Sequence, residues 1–159
     1  EVNKALGEKT EDLRRAVSRL TLLQAQDALT LLRYSLSIPK LLYTLRTPPD
    51  CQSSPLLLDF DATVKDGLSA ILNVDLSDSQ WQQASLPVRD GGLGIRSAVM
   101  LAPSAFLASA AGTTELQARI LPPAISIVPD DSVISALRSW SARSQSSPPT
   151  GTDAYSQCN

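Results

Sequence analysis

The sequence predicts an all-α fold: an irregular multi-helix bundle with a Pro/Gly-rich loop and a disordered C-terminal tail. Three observations carry this expectation. Apolar residues recur at three- and four-residue spacing through several long segments. No alternating apolar/polar run reaches the length of a strand. The residues available for a core are mainly Leu, Ala, Val and Ile, with aromatics at only 4%. With 43% hydrophobic and 19% charged residues, the chain belongs with globular rather than disordered sequences. Its 159 residues suit one domain, here expected as a helical body over 1–142, a linker near 47–55 and a tail over 143–159.

The first helix is expected from Leu6 to Leu23, with Leu6, Leu13, Ala16, Val17, Leu20 and Leu23 on one face and Glu8, Glu11, Arg15 and Arg19 opposite. Glu11 and Arg15 stand at the i,i+4 spacing of a favourable ion pair. The second segment, Gln24 to Thr47, is apolar almost all round, as in a helix buried on several sides. Pro39 disfavours helical geometry at Ile38, so a kink or restart belongs there. Thr47-Pro48-Pro49-Asp50-Cys51-Gln52-Ser53-Ser54-Pro55 cannot continue a helix and forms the linker.

A third helix follows from about Leu56 to Asn73, with Leu57, Phe60, Val64, Leu68, Ile71 and Leu72 on its stripe and Gly67 as a cost of about 1 kcal/mol relative to Ala. Ser77-Asp78-Ser79-Gln80 fits a capping box, opening a short helix through Ala84 that carries Trp81 into the core. Pro87 then breaks the chain, and Gly91-Gly92-Leu93-Gly94 turns it. Ser97 suits the N-cap of a helix over Ala98 to Ala111, with Gly112 just past its end and Pro103 as a possible break. Thr113 or Thr114 would open a short helix to Ile120. Asp130 or Asp131 would cap a last one through Ala142, bearing Val133, Ile134, Leu137 and Trp140.

The composition excludes more chemistry than it suggests. The chain has no histidine, hence no Ser-His-Asp or Cys-His machinery and no HExxH zinc site. Cys51 and Cys158 show no CxxC spacing, which gives no metal set and leaves a disulfide between them open. No apolar run approaches a membrane span, and no signal peptide is present; the expectation is an intracellular protein of the cytoplasm or nucleus. The chain also begins at Glu1 directly on a helical pattern, as a piece of something longer would.

Short motifs fare no better. Gly92-x-Gly94 is followed by Ser97 where a dinucleotide fingerprint needs Gly or Ala, and no Walker lysine follows, so the glycines read as a turn. Ser37-Ile38-Pro39-Lys40 has the Ser-x-x-Lys spacing but neither companion motif. Asp130-Asp131 lacks the strand hairpin that two-metal polymerases use and reads as a cap. Asp59 and Asp61 diverge around a helix.

Charge is unevenly spread. The formal net charge is −2, yet residues 1–50 carry eight Lys/Arg against six Asp/Glu and residues 51–130 carry four against eight. Any basic surface therefore belongs to the N-terminal third. Arg14, Arg15 and Arg19 stand on the first helix, and Arg33, Lys40 and Arg46 on the apolar second one, where each must reach water, a carboxylate or a phosphate.

Two segments together resemble a known family. Ala28 to Arg46, reading ALTLLRYSLSIPKLLYTLR, is followed some 35 residues later by Trp81 to Ser97, reading WQQASLPVRDGGLGIRS. Their order and spacing are similar to the region downstream of the catalytic palm in reverse transcriptases of LINE-type (non-LTR) retrotransposons. The resemblance covers about residues 10–120. It implies a thumb-like helical region and the connection after it, with Trp81, Pro87, Gly91, Gly92 and Gly94 as architectural residues. The palm and its metal-binding carboxylates are not in this chain, so no catalytic residue carries over and no cofactor is implied for it; Mg²⁺ would belong to the parent polymerase. The implied role is a non-catalytic fragment that supports the palm and guides an RNA/DNA template-primer, with Arg33, Lys40 and Arg46 as phosphate contacts. The alternatives are a helical protein-interaction module, or a truncated retroelement fragment without independent function. Oligomeric state is open, and no membrane partner is expected.

Overall fold

The computed structural model describes residues 2–47, 54–122 and 131–144, and every regular element among them is helical. In chain order these are α1 (Val2–Leu20), α2 (Ala25–Leu31), α3 (Ile38–Arg46), α4 (Leu56–Leu72), α5 (Asp78–Ser85), α6 (Ala98–Ile120) and α7 (Asp131–Ser144). The expected all-α class is what the chain adopts. Cys51, Asp130, Cys158, most of the 47–55 linker and the tail beyond 144 lie outside the described residues.

The main core is built by α1, α3, α4 and the first half of α6. Leu6, Leu13 and Leu20 of α1 meet Leu57, Phe60, Val64 and Leu68 of α4, all essentially inaccessible to solvent. The two helices pack tightly where Val17 lies over Gly67. A Cβ added at Gly67 would sit 2.7 Å from Val17 Cγ2, so the helix-weakening glycine is used for helix-to-helix contact. Leu41 and Leu45 of α3 pack into the same core. Opposite them α6 presents Ala98, Ala102 and Ala105, small side chains that let two helix backbones approach. A second, smaller cluster joins Phe106 and Leu107 of α6 to Ala136 of α7, with Val133, Leu137 and Trp140 packed around it.

Several expectations need correction. The first helix starts earlier, at Val2, and ends at Leu20, leaving Leu22 and Leu23 exposed. Its ion pairs are Lys4 with Glu8 at i,i+4 and Arg14 with Glu11 and Arg15 with Asp12 at i,i+3; Glu11 and Arg15, expected as a pair, each take another partner. Arg14 also donates from Nη2 to both oxygens of Asp59, at 2.8 and 3.0 Å, tying α1 to α4. The second segment restarts at Ile38, where the proline rule put a kink or restart, but its regular helix already ends at Leu31. Leu32–Leu36 forms a wide π turn closed by Ser37 N donating to Leu32 O at 3.0 Å, and α3 restarts with Pro39 in its first turn, where a missing N–H is harmless. Of the segment expected to be buried on several sides, Ala28, Leu32, Ile38, Leu41 and Leu45 are buried, while Leu31, Tyr34 and Tyr43 are exposed.

The largest correction concerns α6, which runs unbroken through both Pro103 and Gly112. Pro103 lies past the first turn and forfeits one intrahelical bond, and its side chain is fully buried in return. Thr113 and Thr114 do not start a new helix. Both hydroxyls donate back to Ala110 O, at 2.9 and 3.2 Å, which spends them inside the turn they were expected to cap. Trp81 packs half-buried at the edge of the core rather than within it.

Candidate nucleic-acid interface

The two segments that carry the family resemblance are brought together around one groove. After α5, Leu86 and Pro87 leave the helix and Val88–Asp90 makes a single 3-10 turn. The chain then folds back, with Leu93 N donating to Ala84 O at 3.0 Å and Gly94 N to Leu86 O at 2.9 Å. The amides of Gly91 and Gly92 are also bonded, to Val88 O and Pro87 O, both at 3.1 Å. All four amides of Gly91-Gly92-Leu93-Gly94 therefore close the turn on itself, and none is left to cradle an anion. All three glycines are required: Gly91 holds φ +81°, a Cβ at Gly92 would fall 2.0 Å from Leu86 O, and Gly94 holds φ +71° with its Cα against Arg33.

That last contact joins the segments. A Cβ at Gly94 would lie 2.8 Å from both Cζ and Nε of Arg33, so the guanidinium rests against the loop backbone. The same guanidinium stands 4.7 Å from the centroid of the Tyr34 ring, a cation–π distance. Arg33 sits in the π turn, a widened geometry often found at functional positions. Around it opens a groove of ≈470 Å³ lined by Arg33, Tyr34, Ser37, Ile38, Pro39 and Leu42 from one segment, Gly94 and Arg96 from the other, and Leu101 of α6. Its floor is apolar and its cations are arginines, which suit planar and phosphate-bearing ligands better than lysines do.

The three cations selected from the sequence do not form one cluster. Arg33 lines this groove. Lys40 is exposed in a second groove, of ≈360 Å³, with Asp12, Arg15, Ala16 and Arg19 of α1. Arg46 is exposed in the last turn of α3. Ser37 and Lys40 do not pair: the serine hydroxyl is buried and donates to Arg33 O at 3.4 Å.

Sequence reasoning missed Arg96, which stands two residues after Gly94 inside the recognised motif. It also missed the role of Asp61. That carboxylate is only 7% exposed and reaches across to the start of α6. It accepts from Ala98 N at 2.7 Å and Val99 N at 3.2 Å, and the Ser97 hydroxyl donates a further hydrogen bond to it. Ser97 Oγ in turn accepts from Met100 N at 3.2 Å. The signal was present: Asp61 follows Leu57 by four and precedes Val64 by three, which puts a carboxylate on the apolar stripe of α4, where it needs a partner. Burial pushes its pKa above the usual carboxylate range, and the hydrogen bonds from Ser97, Ala98 and Val99 pull it partly back. Asp59 faces away, toward Arg14.

Among the described residues no group of three or more Cys, Asp or Glu is placed to hold a metal ion, and no helix is long and apolar enough to cross a membrane. Comparison with protein-family models, curated proteins and solved structures gave no match for this chain.

Proposed function

We propose that this chain is a non-catalytic thumb/connection fragment of a LINE-type reverse transcriptase, which in the full enzyme supports the palm and guides an RNA/DNA template-primer in the nucleus or cytoplasm. The observation that carries the reading is the closure of both resemblance segments on a single arginine-bearing groove, where Arg33 meets Gly94 and Arg96 lines the same wall. Two stretches separated by some 35 residues have no need to share a site if each serves packing alone. In this reading Arg33 is the principal phosphate contact, Lys40 and Arg46 add further charge along α3, and Trp81, Pro87, Gly91, Gly92 and Gly94 hold the wall in place. The polymerase chemistry and its Mg²⁺ belong to the missing palm.

Binding of the chain to a fluorescent RNA/DNA hybrid, titrated with salt, tests this. The expected outcome is an affinity that falls steeply with salt, with log–log slope near −0.9 per phosphate contacted, and an Arg33→Gln variant whose slope is shallower by about 1. Affinity that ignores salt, or is negligible at low salt, would sink it.

A second reading, a helical protein-interaction module, is favoured by the exposed side chains of Leu31, Tyr34 and Tyr43 on the α2–α3 segment, with Tyr34 62% and Tyr43 79% accessible. It predicts salt-independent association with a protein and no response to the hybrid. A loose, aggregating chain on expression would instead indicate a fragment without independent function.

A further inference from the structure

A second charged feature stands apart from the Arg33 groove. On α1, Arg14 turns toward Asp59 of α4, while Arg15 and Arg19, four residues apart, share the face that borders Lys40 of α3. These three cations, the carboxylate of Asp12 and Ala16 line one shallow groove of ≈360 Å³. Asp12 is taken by Arg15. Among the described residues Arg19 and Lys40 enter no ion pair. Like charges at i,i+4 on a helix are mutually destabilising, and a third cation from the neighbouring helix adds to that repulsion. Fold stability gives no reason to gather them. An anion seated among them does.

We propose that the α1–α3 groove is a phosphate-binding site, with Arg19 and Lys40 as its direct contacts and Arg15 as a third, held in reserve by Asp12. Arg19 offers a planar fork that matches two phosphate oxygens, and Lys40 a compact charge on the opposite wall. The Asp12 carboxylate tempers the affinity: its pairing with Arg15 Nη2 leaves the empty site partly self-neutralised. The phosphate can come from a polynucleotide backbone or from free phosphate. Backbone-type binding would place a second contact beside the Arg33 groove. The site itself stands on its own residues and does not depend on the template-primer reading.

The full chain and an Arg19→Gln/Lys40→Gln double variant distinguish the sources. Both substituted residues are exposed, so circular dichroism should be unchanged. If free phosphate binds, the thermal midpoint of the wild type rises in phosphate over chloride at matched ionic strength by about 3 °C near ten times Kd. The double variant keeps only the general salting effect that phosphate has on any fold. If only a polynucleotide binds, the phosphate arm shows no difference, but the double variant lowers the salt slope for an RNA/DNA hybrid by about 2. Asp12→Asn releases Arg15 and should tighten binding about two- to fivefold in whichever arm responds. Absence of any difference between wild type and double variant in both arms overturns the site, even where Arg33→Gln weakens hybrid binding and the template-primer reading survives. A phosphate response without hybrid binding keeps the site and removes that reading.

Discussion

Two helix N-termini in this molecule solve the same problem in opposite ways. At α5, Ser77 accepts from Gln80 N at 3.3 Å while Gln80 Oε1 accepts from Ser77 N at 2.9 Å, a capping box complete within four residues and exposed to water. Beside it Asp78 is fully accessible and bonds Lys65 at 2.8 Å. At α6, Ser97 again caps its own third residue, but the first two amides are taken by Asp61, arriving from α4 into a buried site. The α5 cap is local chemistry and could exist on an isolated helix. The α6 cap exists only in the folded protein, since it is also the polar joint that fixes α6 on α4.

The widest separation between the two ends should come from removing Asp61. Asp61→Ala removes the acceptor of the buried Ala98 amide, of the Val99 amide and of the Ser97 hydroxyl proton, an expected loss of about 2–4 kcal/mol by urea unfolding; a loss below about 1 kcal/mol would mean water enters the joint. Asp61→Asn keeps one acceptor and should cost less. Next comes Ser97→Ala, expected at about 1–2 kcal/mol, against about 0.5–1 kcal/mol for Ser77→Ala in its exposed setting. Equal losses at the two serines would erase the distinction between a buried and a wet cap.

The two aspartates also predict pH dependences of opposite sign. Asp61 has its pKa raised on folding, chiefly by burial. The folded state thus holds its proton more tightly than the unfolded one. Its stabilising contribution is full below the unfolded value of about 3.9 and declines as pH rises through the folded value. Subtracting the Asp61→Asn stability profile from that of the wild type should expose this decline. Asp78 has its pKa lowered, by the hydrogen bond and then the charge of Lys65. Its contribution is present above about pH 3.9 and is lost as pH falls through the lower folded value. Because Asp78 is open to solvent, Asp78→Asn should have the smallest effect of the series, and one that salt suppresses.

The same contrast explains what could be read from the sequence. The Ser77–Gln80 box was legible because both halves lie within one turn, and Ser97 was legible as a cap for the same reason. The carboxylate that completes the α6 cap lies 36 residues from Ser97, and its place on the apolar stripe of α4 was the only local sign. The helical class and most helix positions followed from apolar spacing. The predicted breaks in α6 did not occur, because burial of Pro103 and back-bonding by Thr113 and Thr114 outweighed local propensity. At the groove, Arg33 was selected for its charge and Gly94 for its turn. Their contact is tertiary, and neither residue announces the other.

The closed hydrogen bonding of the glycine loop has a consequence for how such a surface can change. With the amides from Gly91 to Gly94 committed to carbonyls of the same turn, attraction for an anion at this wall has to come from side chains alone. Architecture and affinity thus run on different atoms. The charge of this wall lies on Arg33 and Arg96, and the hydrogen bonds of the turn that positions it involve neither side chain. The charge of the wall can change while the shape of the turn stays.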